Sequence, residues 1–263
     1  MSKDTEQKML RKRRSKKSQP HVNIFSGMGA DWEAIVNARD TDSEADFIED
    51  VIDSKGIVLD LCCGTARHSI ALSKRALNVV GVDLSRSLLT IAMIRMRQAG
   101  VRLPLVRADM RFLPFRDSVF GAVISMFTSF GYLSSESEDA LSLLEINRAL
   151  RRKGKFLLDL ANRDHIVKTF RERDWAEFKP FYMLEKRSLD LKQSRLTSQW
   201  TLIRKDSGAV KSIEHNVRLY MFARIEQLLN ETGLTIRDVF GGYEKQEFSL
   251  DSSRMIALAE KLG

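Results

Sequence analysis

The sequence predicts an α/β protein in which helices cover both faces of a mostly parallel sheet. Short apolar runs alternate with amphipathic segments between residues 56 and 160. This order is typical of strands that are joined by right-handed helical crossovers. Within the runs, apolar residues follow one another without polar alternation, which is expected of strands buried on both faces of a sheet.

Seven strands and five helices are predicted from these patterns. Apolar residues in 87–99 recur at the spacing of one helix face, and Gly100 follows as a left-handed C-terminal cap. The predicted strands are 56–61, 78–84, 104–109, 120–127, 155–160, 235–243 and 254–260. The predicted helices are about 43–53, with Ser43 as its cap, 66–76, 87–99, 137–150 and 222–232.

The alternation changes between residues 174 and 220. Segments 181–190, 195–205 and 211–220 alternate polar with apolar or aromatic residues, and the breaks between them have turn composition. The pattern predicts an antiparallel β insertion within a domain that spans residues 21–263. Its ends should emerge at the sheet edge where ligands bind, so the insertion is expected to be a lid or a dimer interface.

Composition narrows the classes of partner. The chain of 263 residues has a net charge of +8, and residues 1–20 hold eight Lys or Arg against two acids, so the remainder is nearly neutral. A charge block of this kind predicts a disordered tail, and the alternative is an arm that binds nucleic acid.

The apolar runs are too short for membrane spans, and we expect a cytoplasmic monomer or homodimer without a membrane partner. Its only cysteines, Cys62 and Cys63, are adjacent, which argues against a disulfide or a metal site.

Residues 58–69 carry the most specific local pattern. A predicted strand ends at Asp60, a tight turn follows, and a helix begins near residue 66. Gly64 would let the backbone approach a ligand closely, and the free N–H groups of a helix N-terminus suit an anion. A dinucleotide site requires three glycines in this loop, but the run from Cys62 to Arg67 has one.

This stretch resembles the first motif of the class I methyltransferases that use S-adenosyl-L-methionine (SAM), often written D-x-G-x-G-x-G. Asp60, Cys62, Gly64 and Ala66 fall on its four defined positions, with Cys and Ala in place of two glycines. Asp83, which ends the second predicted strand 23 residues after Asp60, is placed to bind ribose hydroxyls, or alternatively to cap the next helix. The resemblance covers residues 45–160 and implies a Rossmann-like, seven-stranded sheet with SAM as cofactor.

The resemblance also implies a set of cofactor contacts. The Asp109 carboxylate would lie near the adenine amino group, and the backbone N–H of Met110 would donate to a nitrogen of the adenine ring. Arg67 could pair with the methionine carboxylate. The predicted cofactor-binding residues are Asp60, Cys62, Gly64, Thr65, Arg67, Asp83, Leu84, Asp109, Met110 and Phe127.

Residues 126–136 border the transferable methyl group in the family that this chain resembles. One or more aromatic residues of this loop are expected to be core residues instead. The candidate acceptor contacts, from this loop, the next strand end and the insertion, are Thr128, Phe130, Tyr132, Asn162, Arg163, Trp175, Arg218 and Tyr220. No residue is assigned as a catalytic group.

The activity that these observations predict is direct methyl transfer to a nitrogen or oxygen atom of a small molecule. One alternative is an RNA or protein methyltransferase that uses the basic tail. Another is a non-catalytic SAM-binding or interaction protein that keeps the fold. Both cysteines lie in the cofactor loop, which excludes a pyrimidine-C5 mechanism with a cysteine nucleophile.

Overall fold

A computed structural model describes residues 27–36 and 38–262, and the predicted basic tail lies outside them. The described chain forms two sheets and their covering helices. In chain order the elements are α1 (Ala30–Val36), α2 (Thr41–Ile52), β1 (Ile57–Leu61), α3 (Arg67–Lys74), β2 (Val79–Asp83), α4 (Arg86–Gln98), β3 (Leu105–Arg107), β4 (Phe120–Ser125), α5 (Glu136–Ala149), β5 (Leu150–Ala161), α6 (Arg163–Lys168), β6 (Arg173–Glu177), β7 (Phe181–Asp190), β8 (Arg195–Arg204), β9 (Val210–Arg218), α7 (Phe222–Glu231), β10 (Leu234–Phe240) and β11 (Arg254–Lys261).

The larger sheet has seven strands in the order β10-β11-β5-β4-β1-β2-β3. Strands β1 to β5 pair in parallel, and β11 runs antiparallel between β5 and β10. The strand order reverses at β1, which has β2 on one side and β4 on the other. In open α/β sheets, ligands bind at the carboxyl ends of strands beside such a reversal. The predicted fold class is confirmed, and the topology places the site after β1 and β4.

Side chains that alternate along the central strands divide the core between the two faces of this sheet. On one face, Leu59 and Val123 pack with Ile146 of α5 and Ile225 of α7. On the other face, Val58 and Ile124 pack with residues of α2 and α3. Because both faces are covered, the strands need continuous apolar sequence, and that is the pattern from which they were predicted.

The smaller sheet is an antiparallel meander in the order β6-β7-β8-β9. One of its faces turns inward and buries Phe181 and Leu202 against Met28 and the partly buried Trp32. Helix α1 therefore packs on the insertion. At the other end, Gly131 accepts a hydrogen bond from the N–H of Arg218 at 2.8 Å. A Cβ on Gly131 would lie 2.5 Å from the Arg218 carbonyl oxygen, so this close approach requires glycine.

The structure differs from the predicted elements at several boundaries. Helix α2 begins at Thr41 with Asp40 as its cap, because the Asp40 carboxylate accepts from Ser43 N. Strand β5 begins at Leu150 and not at residue 155, because the basic stretch after α5 continues directly into the sheet. β6 and α6 were not predicted, because neither has an apolar periodicity. None of the helices in the described ranges has the length and apolarity needed to cross a bilayer.

Candidate cofactor and acceptor site

Two neighbouring cavities open at the carboxyl edge of the larger sheet, with volumes of about 240 Å³ and about 100 Å³. The larger is bordered by the loops after β1 and β4, by α1 and by the inner face of the insertion. The smaller lies beside the ends of β1, β2 and β3. Trp32, Cys62, Gly64, Ser129 and Tyr132 line both, so the two spaces adjoin.

The loop after β1 makes a compact turn through three left-handed residues. Cys62 has φ +61°, Gly64 +54° and Ala66 +59°. Residues other than glycine adopt this conformation at a cost of roughly 1–2 kcal/mol. The motif has glycine at the positions of Cys62 and Ala66. In this chain both positions keep the left-handed backbone that glycine adopts readily, although neither residue is glycine. Cys63 N donates to Val82 O at 2.9 Å, which fixes the turn against β2.

Asp83 connects this turn to the next strand end. It is 9% exposed, and its carboxylate accepts from Gly64 N and from Ser85 N, each at 2.8 Å. Burial raises the pKa of Asp83, although the backbone hydrogen bonds act in the opposite direction. Ser85, and not Asp83, caps α4. Asp83 thus lines the smaller cavity with its position set by two backbone donors.

The acids that end the neighbouring strands have different surroundings. Asp60 lines the larger cavity and accepts from Ser69 Oγ at 2.5 Å, and burial raises the pKa of this carboxyl. Asp109 lies two residues beyond the end of β3 and lines the smaller cavity. Its carboxylate pairs with Arg111, whose Nη2 lies 2.6 Å from Oδ2. The three strand-end acids therefore reach the two cavities, each with a protein partner already in place.

A buried cluster of charges lies behind the larger cavity and centres on Glu44 of α2. Its carboxylate receives Arg39 Nε at 2.8 Å, His68 Nε2 at 2.8 Å and the Arg67 guanidinium. Burial alone would raise the pKa of Glu44, but the hydrogen bond from His68 and the charge of Arg67 outweigh it and lower the pKa to about 2. Arg67 lines the cavity, and its Nη2 has no hydrogen-bond partner among the described residues. That atom is a buried donor suited to a carboxylate.

The loop after β4 approaches the same cavity in a strained conformation. Phe127 and Thr128 are both left-handed, with φ +56° and +58°. Asp159 holds them, because its Oδ2 accepts from Phe127 N at 2.7 Å and its carbonyl accepts from Thr128 N at 2.9 Å. Arg254 in turn donates Nε to Asp159 Oδ1 at 2.7 Å. Such strain persists where the surroundings over-determine it, as at ligand sites.

The insertion supplies the wall opposite these loops. Leu196 and Trp200 of β8 and His215 and Val217 of β9 line the larger cavity from the inner face of the meander. The ring centroids of Trp200 and His215 lie 4.4 Å apart in an edge-on arrangement. No residue from β6 to β9 lines the smaller cavity. The insertion therefore shapes only the larger of the two spaces.

The structure brings all ten predicted cofactor residues to the two cavities. Those that line one or both are Asp60, Cys62, Gly64, Thr65, Arg67, Asp83, Leu84, Asp109, Met110 and Phe127. Of the predicted acceptor contacts, Thr128 and Tyr132 also line the larger cavity.

The other six predicted acceptor contacts do not line either cavity, and other roles explain their positions. Phe130 is a core residue, as was expected for at least one aromatic. Asn162 caps α6, and Arg163 donates to Ser194 Oγ at 2.9 Å. Trp175 is 64% exposed on the outer face of the insertion. Arg218 and Tyr220 both bond the buried Asp139 of α5.

Sequence reasoning did not find Trp32, His215 or Arg254, which all line the larger cavity. Trp32 lies in a segment without a clear periodicity, and Arg254 opens a strand far along the chain from the loop that it supports. His215 does follow the alternation of β9, so its inward-facing position was predictable even though its role was not. Within the described chain, no cluster of three His, Cys, Asp or Glu residues could hold a metal ion.

The sheet order, the antiparallel β11 and the loop after β1 define a Rossmann-like methyltransferase. Residues 58–154 match a family model described as a methyltransferase domain. A Bacillus subtilis protein named as methyltransferase YqeM is 24% identical over 90% of this chain and 97% of its own length. A glycine/sarcosine N-methyltransferase of Parasynechococcus marenigrum is 34% identical over 52% of this chain and 50% of its own.

A crystal structure of a SAM-dependent methyltransferase from Clostridium acetobutylicum superposes with a TM-score of 0.78 at 19% identity, covering 87% of this chain and 95% of that one. The adjoining cavities, the Asp83 carboxylate and Arg67 Nη2, which has no partner in residues 27–36 and 38–262, fit a cofactor with a ribose and a carboxylate. The chain is a methyltransferase of the class I fold that uses SAM.

Proposed function

We propose that this enzyme methylates a nitrogen atom of a small-molecule amine, with a hydroxyl oxygen as the less favoured acceptor. The observation that carries the proposal is the larger cavity, which lies between the loops after β1 and β4 and the inner face of the insertion. A polymer would need an open groove beside the reacting atoms, whereas a covered cavity suits a compact acceptor.

The cofactor contacts follow from the residues of each cavity. We assign the adenosine part to the smaller cavity, where apolar Leu61, Val82 and Leu133 lie beside Asp83 and Asp109. Asp83 would accept from the ribose hydroxyls, since a carboxylate has more acceptor sites than its two backbone donors use. Arg67 Nη2 would donate to the methionine carboxylate.

SAM, when bound, would supply a methyl group on a positively charged sulfur: the acceptor nitrogen bonds to the methyl carbon as the C–S bond breaks, the neutral thioether leaves, and the methylated amine then loses a proton to water. The tasks of this chain are therefore to align the acceptor and to exclude water. The loop of Phe127 and Thr128 is held rigidly by Asp159 and forms one wall of the space in which the acceptor must lie. Trp200 and the other inward-facing residues of the insertion form the opposite wall.

An amine is favoured over a hydroxyl because an uncharged amine reacts without first losing a proton. A hydroxyl acceptor is helped by a general base with a pKa near the working pH. The titratable side chains that line the larger cavity fit that role poorly: Asp60 is held by Ser69, His68 is paired with Glu44, and burial lowers the pKa of His215 to about 4. The relative from Parasynechococcus marenigrum, whose name specifies N-methylation, supports the same choice.

The test combines cofactor binding with a search for acceptors. Calorimetry should detect SAM binding by the full chain, and released S-adenosylhomocysteine should report turnover with panels of small amines, small hydroxyl compounds and bulk RNA. The proposal expects the highest kcat/KM within the amine panel. Turnover with RNA alone would replace it by a nucleic-acid methyltransferase, and SAM binding without turnover on any panel would favour a non-catalytic binding protein.

Asp83→Asn tests the ribose assignment. We expect SAM binding to weaken by about 1–3 kcal/mol, because a charge-assisted acceptor becomes a neutral one while the side chain keeps its shape. Calorimetry measures the change. Asp206→Asn, at an exposed acid in the turn between β8 and β9, is the control and should bind SAM normally. Unchanged affinity in a folded Asp83→Asn protein would refute the assignment.

A further inference from the structure

Two polar side chains interrupt the apolar inner wall of the insertion. His215 of β9 is 7% exposed and Ser198 of β8 is 1% exposed, and they are paired directly across the two strands. Neither nitrogen of the His215 ring has a hydrogen-bond partner in the described part of the chain, and neither does Ser198 Oγ. The residues around them on this wall are Leu196, Trp200 and Val217.

A buried polar group without a partner is costly, at roughly 1–3 kcal/mol for each group. Native proteins rarely leave such groups unsatisfied, and exceptions call for an explanation. Here the explanation is available, because His215 lines the larger cavity, which the loop after β1 also lines. A ligand with its own polar hydrogen could supply the missing partner.

The protonation state of His215 follows from its surroundings. Burial lowers its pKa to about 4, and the charge of Glu185 on β7 opposes this weakly. The Glu185 carboxylate accepts Trp200 Nε1 at 2.9 Å, which leaves Trp200 edge-on to the imidazole. From the loop after β4, the Tyr132 ring lies 6.1 Å away. At neutral pH the imidazole is therefore uncharged, with one nitrogen as donor and the other as acceptor.

We propose that His215 forms the subsite that holds the amine of the acceptor. An N–H of the uncharged amine donates to the free imidazole nitrogen, whereas Ser198, the cross-strand neighbour of His215, does not line the cavity. With this N–H held on the insertion side, the nitrogen lone pair faces the opposite wall, where the loops after β1 and β4 lie. This assignment rests on the proposed function and gives it a substrate class.

The surrounding wall defines the rest of that class. Leu196, Val217 and Leu219 present apolar surface to the cavity, and Trp200 covers the imidazole. A permanent charge next to this wall would lose its hydration without gaining an opposite charge. The preferred acceptor is therefore a primary or secondary amine on an apolar body, taken up in its uncharged form. Quaternary ammonium compounds have no N–H to donate and should not compete.

The experiment compares His215→Phe and His215→Gln with the wild-type full chain, and the probe is the amine that is methylated fastest in the acceptor screen. We expect His215→Phe to lower kcat/KM for that amine about 10- to 100-fold, as one buried hydrogen bond is lost. His215→Gln keeps a neutral donor and acceptor and should recover most of the loss. SAM affinity, measured by calorimetry, should change by less than about twofold in both, because His215 lies outside the smaller cavity.

A ring nitrogen NMR measurement provides a readout that does not depend on turnover. With labelled histidine and bound S-adenosylhomocysteine, the His215 signals should show a neutral ring at pH 6, where an exposed histidine is largely protonated. His165→Phe is the matched control: His165 on α6 also has a nitrogen without a partner in the described chain, but it does not line the cavity.

The outcomes separate this subsite from the proposed function. Wild-type kcat/KM in His215→Phe, or a His215 ring that titrates like an exposed histidine, would overturn the role of His215. Equal losses in His215→Phe and His215→Gln together with weaker SAM binding would show a structural effect and would also overturn it. If the wild-type chain bound SAM but methylated none of the amines, the proposed function itself would be wrong.

Discussion

Glu44 shows how a single buried carboxylate organises one side of the site. It receives three donors, of which Arg67 and His68 belong to the helix that follows the motif loop. Helix α2 thereby fixes the first turn of α3, the turn that presents Arg67 to the larger cavity. Because the pKa of Glu44 is lowered to about 2, its charge contributes to stability at neutral pH.

The sign of this contribution gives a pH prediction. A carboxyl whose pKa is lower in the folded state contributes fully above its unfolded pKa of 4.5, and the contribution is lost as pH falls toward 2. We expect Glu44→Gln to lower the free energy of unfolding by about 3 kcal/mol at pH 7. The difference from wild type should shrink below pH 4.5. Urea titrations at a series of pH values measure it.

Glu49→Gln is the control for this prediction. Glu49 lies on the same helix but is about half exposed, and its Arg75 partner lies 3.8 Å away. Such a pair contributes about 0–1 kcal/mol, so this variant should follow the wild-type pH profile closely. A Glu44→Gln protein as stable as wild type at pH 7 would contradict the pKa and the role that it implies.

At the scale of single residues, the sequence was informative where a motif fixes spacing. Asp60, Gly64 and Asp83 line the cavities, and each lies at the end of a strand that the sequence predicts or in the loop that follows it. Glu44 and Arg254 have no such signal, since their partners, Arg67 and Asp159, are distant along the chain. His215 has no metal-ligand spacing to the other histidines of the sequence, and only the fold shows that it is buried opposite Ser198.

At the scale of elements, α1 and the insertion act as one unit. Asp31 of α1 accepts Arg204 Nη1 at 3.0 Å and Lys211 Nζ at 3.1 Å, and Trp32 packs on the same sheet. Trp32 also lines both cavities. The insertion therefore reaches the smaller cavity indirectly, through α1, although none of its own strands lines that space.

Asp31→Ala should consequently affect both ligands. We expect SAM to bind about 2- to 10-fold more weakly and the KM of the amine to rise. The reason is that α1, the helix that carries Trp32, loses the two ion pairs that hold it on the insertion. The melting temperature should fall by only a few degrees, since both pairs are partly exposed. Calorimetry and steady-state kinetics measure these effects.

Asp174→Ala provides the comparison, because Asp174 makes a 3.4 Å pair with Arg187 within the insertion, away from α1. It should leave both constants unchanged. If Asp31→Ala also left both constants unchanged, the inference that α1 couples the insertion to the cofactor cavity would be wrong.

The elements were predicted well where periodicity is strong and poorly elsewhere. The predicted ends of β7, β8 and β9 lie within two residues of the observed ends. Each of these strands has one buried face, so polar and apolar side chains alternate along it. β6 was missed because Arg173–Glu177 is an edge strand with mostly exposed side chains, which leaves no burial pattern to read. Propensity alone could not show that α1 packs on the insertion.

At the scale of the whole molecule, the described domain and the basic tail have separate roles in our proposal. Residues 1–20 carry eight Lys or Arg, and the remainder of the chain is nearly neutral. An uncharged amine gains nothing from a block of positive charge in the protein that binds it. We therefore expect removal of residues 1–20 to change kcat/KM for the amine by less than twofold and the melting temperature by about one degree.

The full chain with those eight residues changed to Gln is the matched variant, since it removes charge but keeps length. It should behave like the truncated protein at low and at high salt. A loss of turnover that grows as salt is lowered would instead indicate an acceptor drawn in by charge, as nucleic acids are.

The position of β11 has a consequence for the order in which the protein becomes active during translation. Among the strands that the structure describes, β11 comes last along the chain, yet it lies between β5 and β10 in the sheet. A ribosome-bound chain that has emerged as far as β10 already carries the motif loop, the loop after β4 and the insertion, but it lacks the strand that joins β10 to β5. It also lacks Arg254, the partner of the Asp159 carboxylate that holds Phe127. Methyl transfer should therefore begin only once β11 has emerged from the ribosome and has paired between β5 and β10.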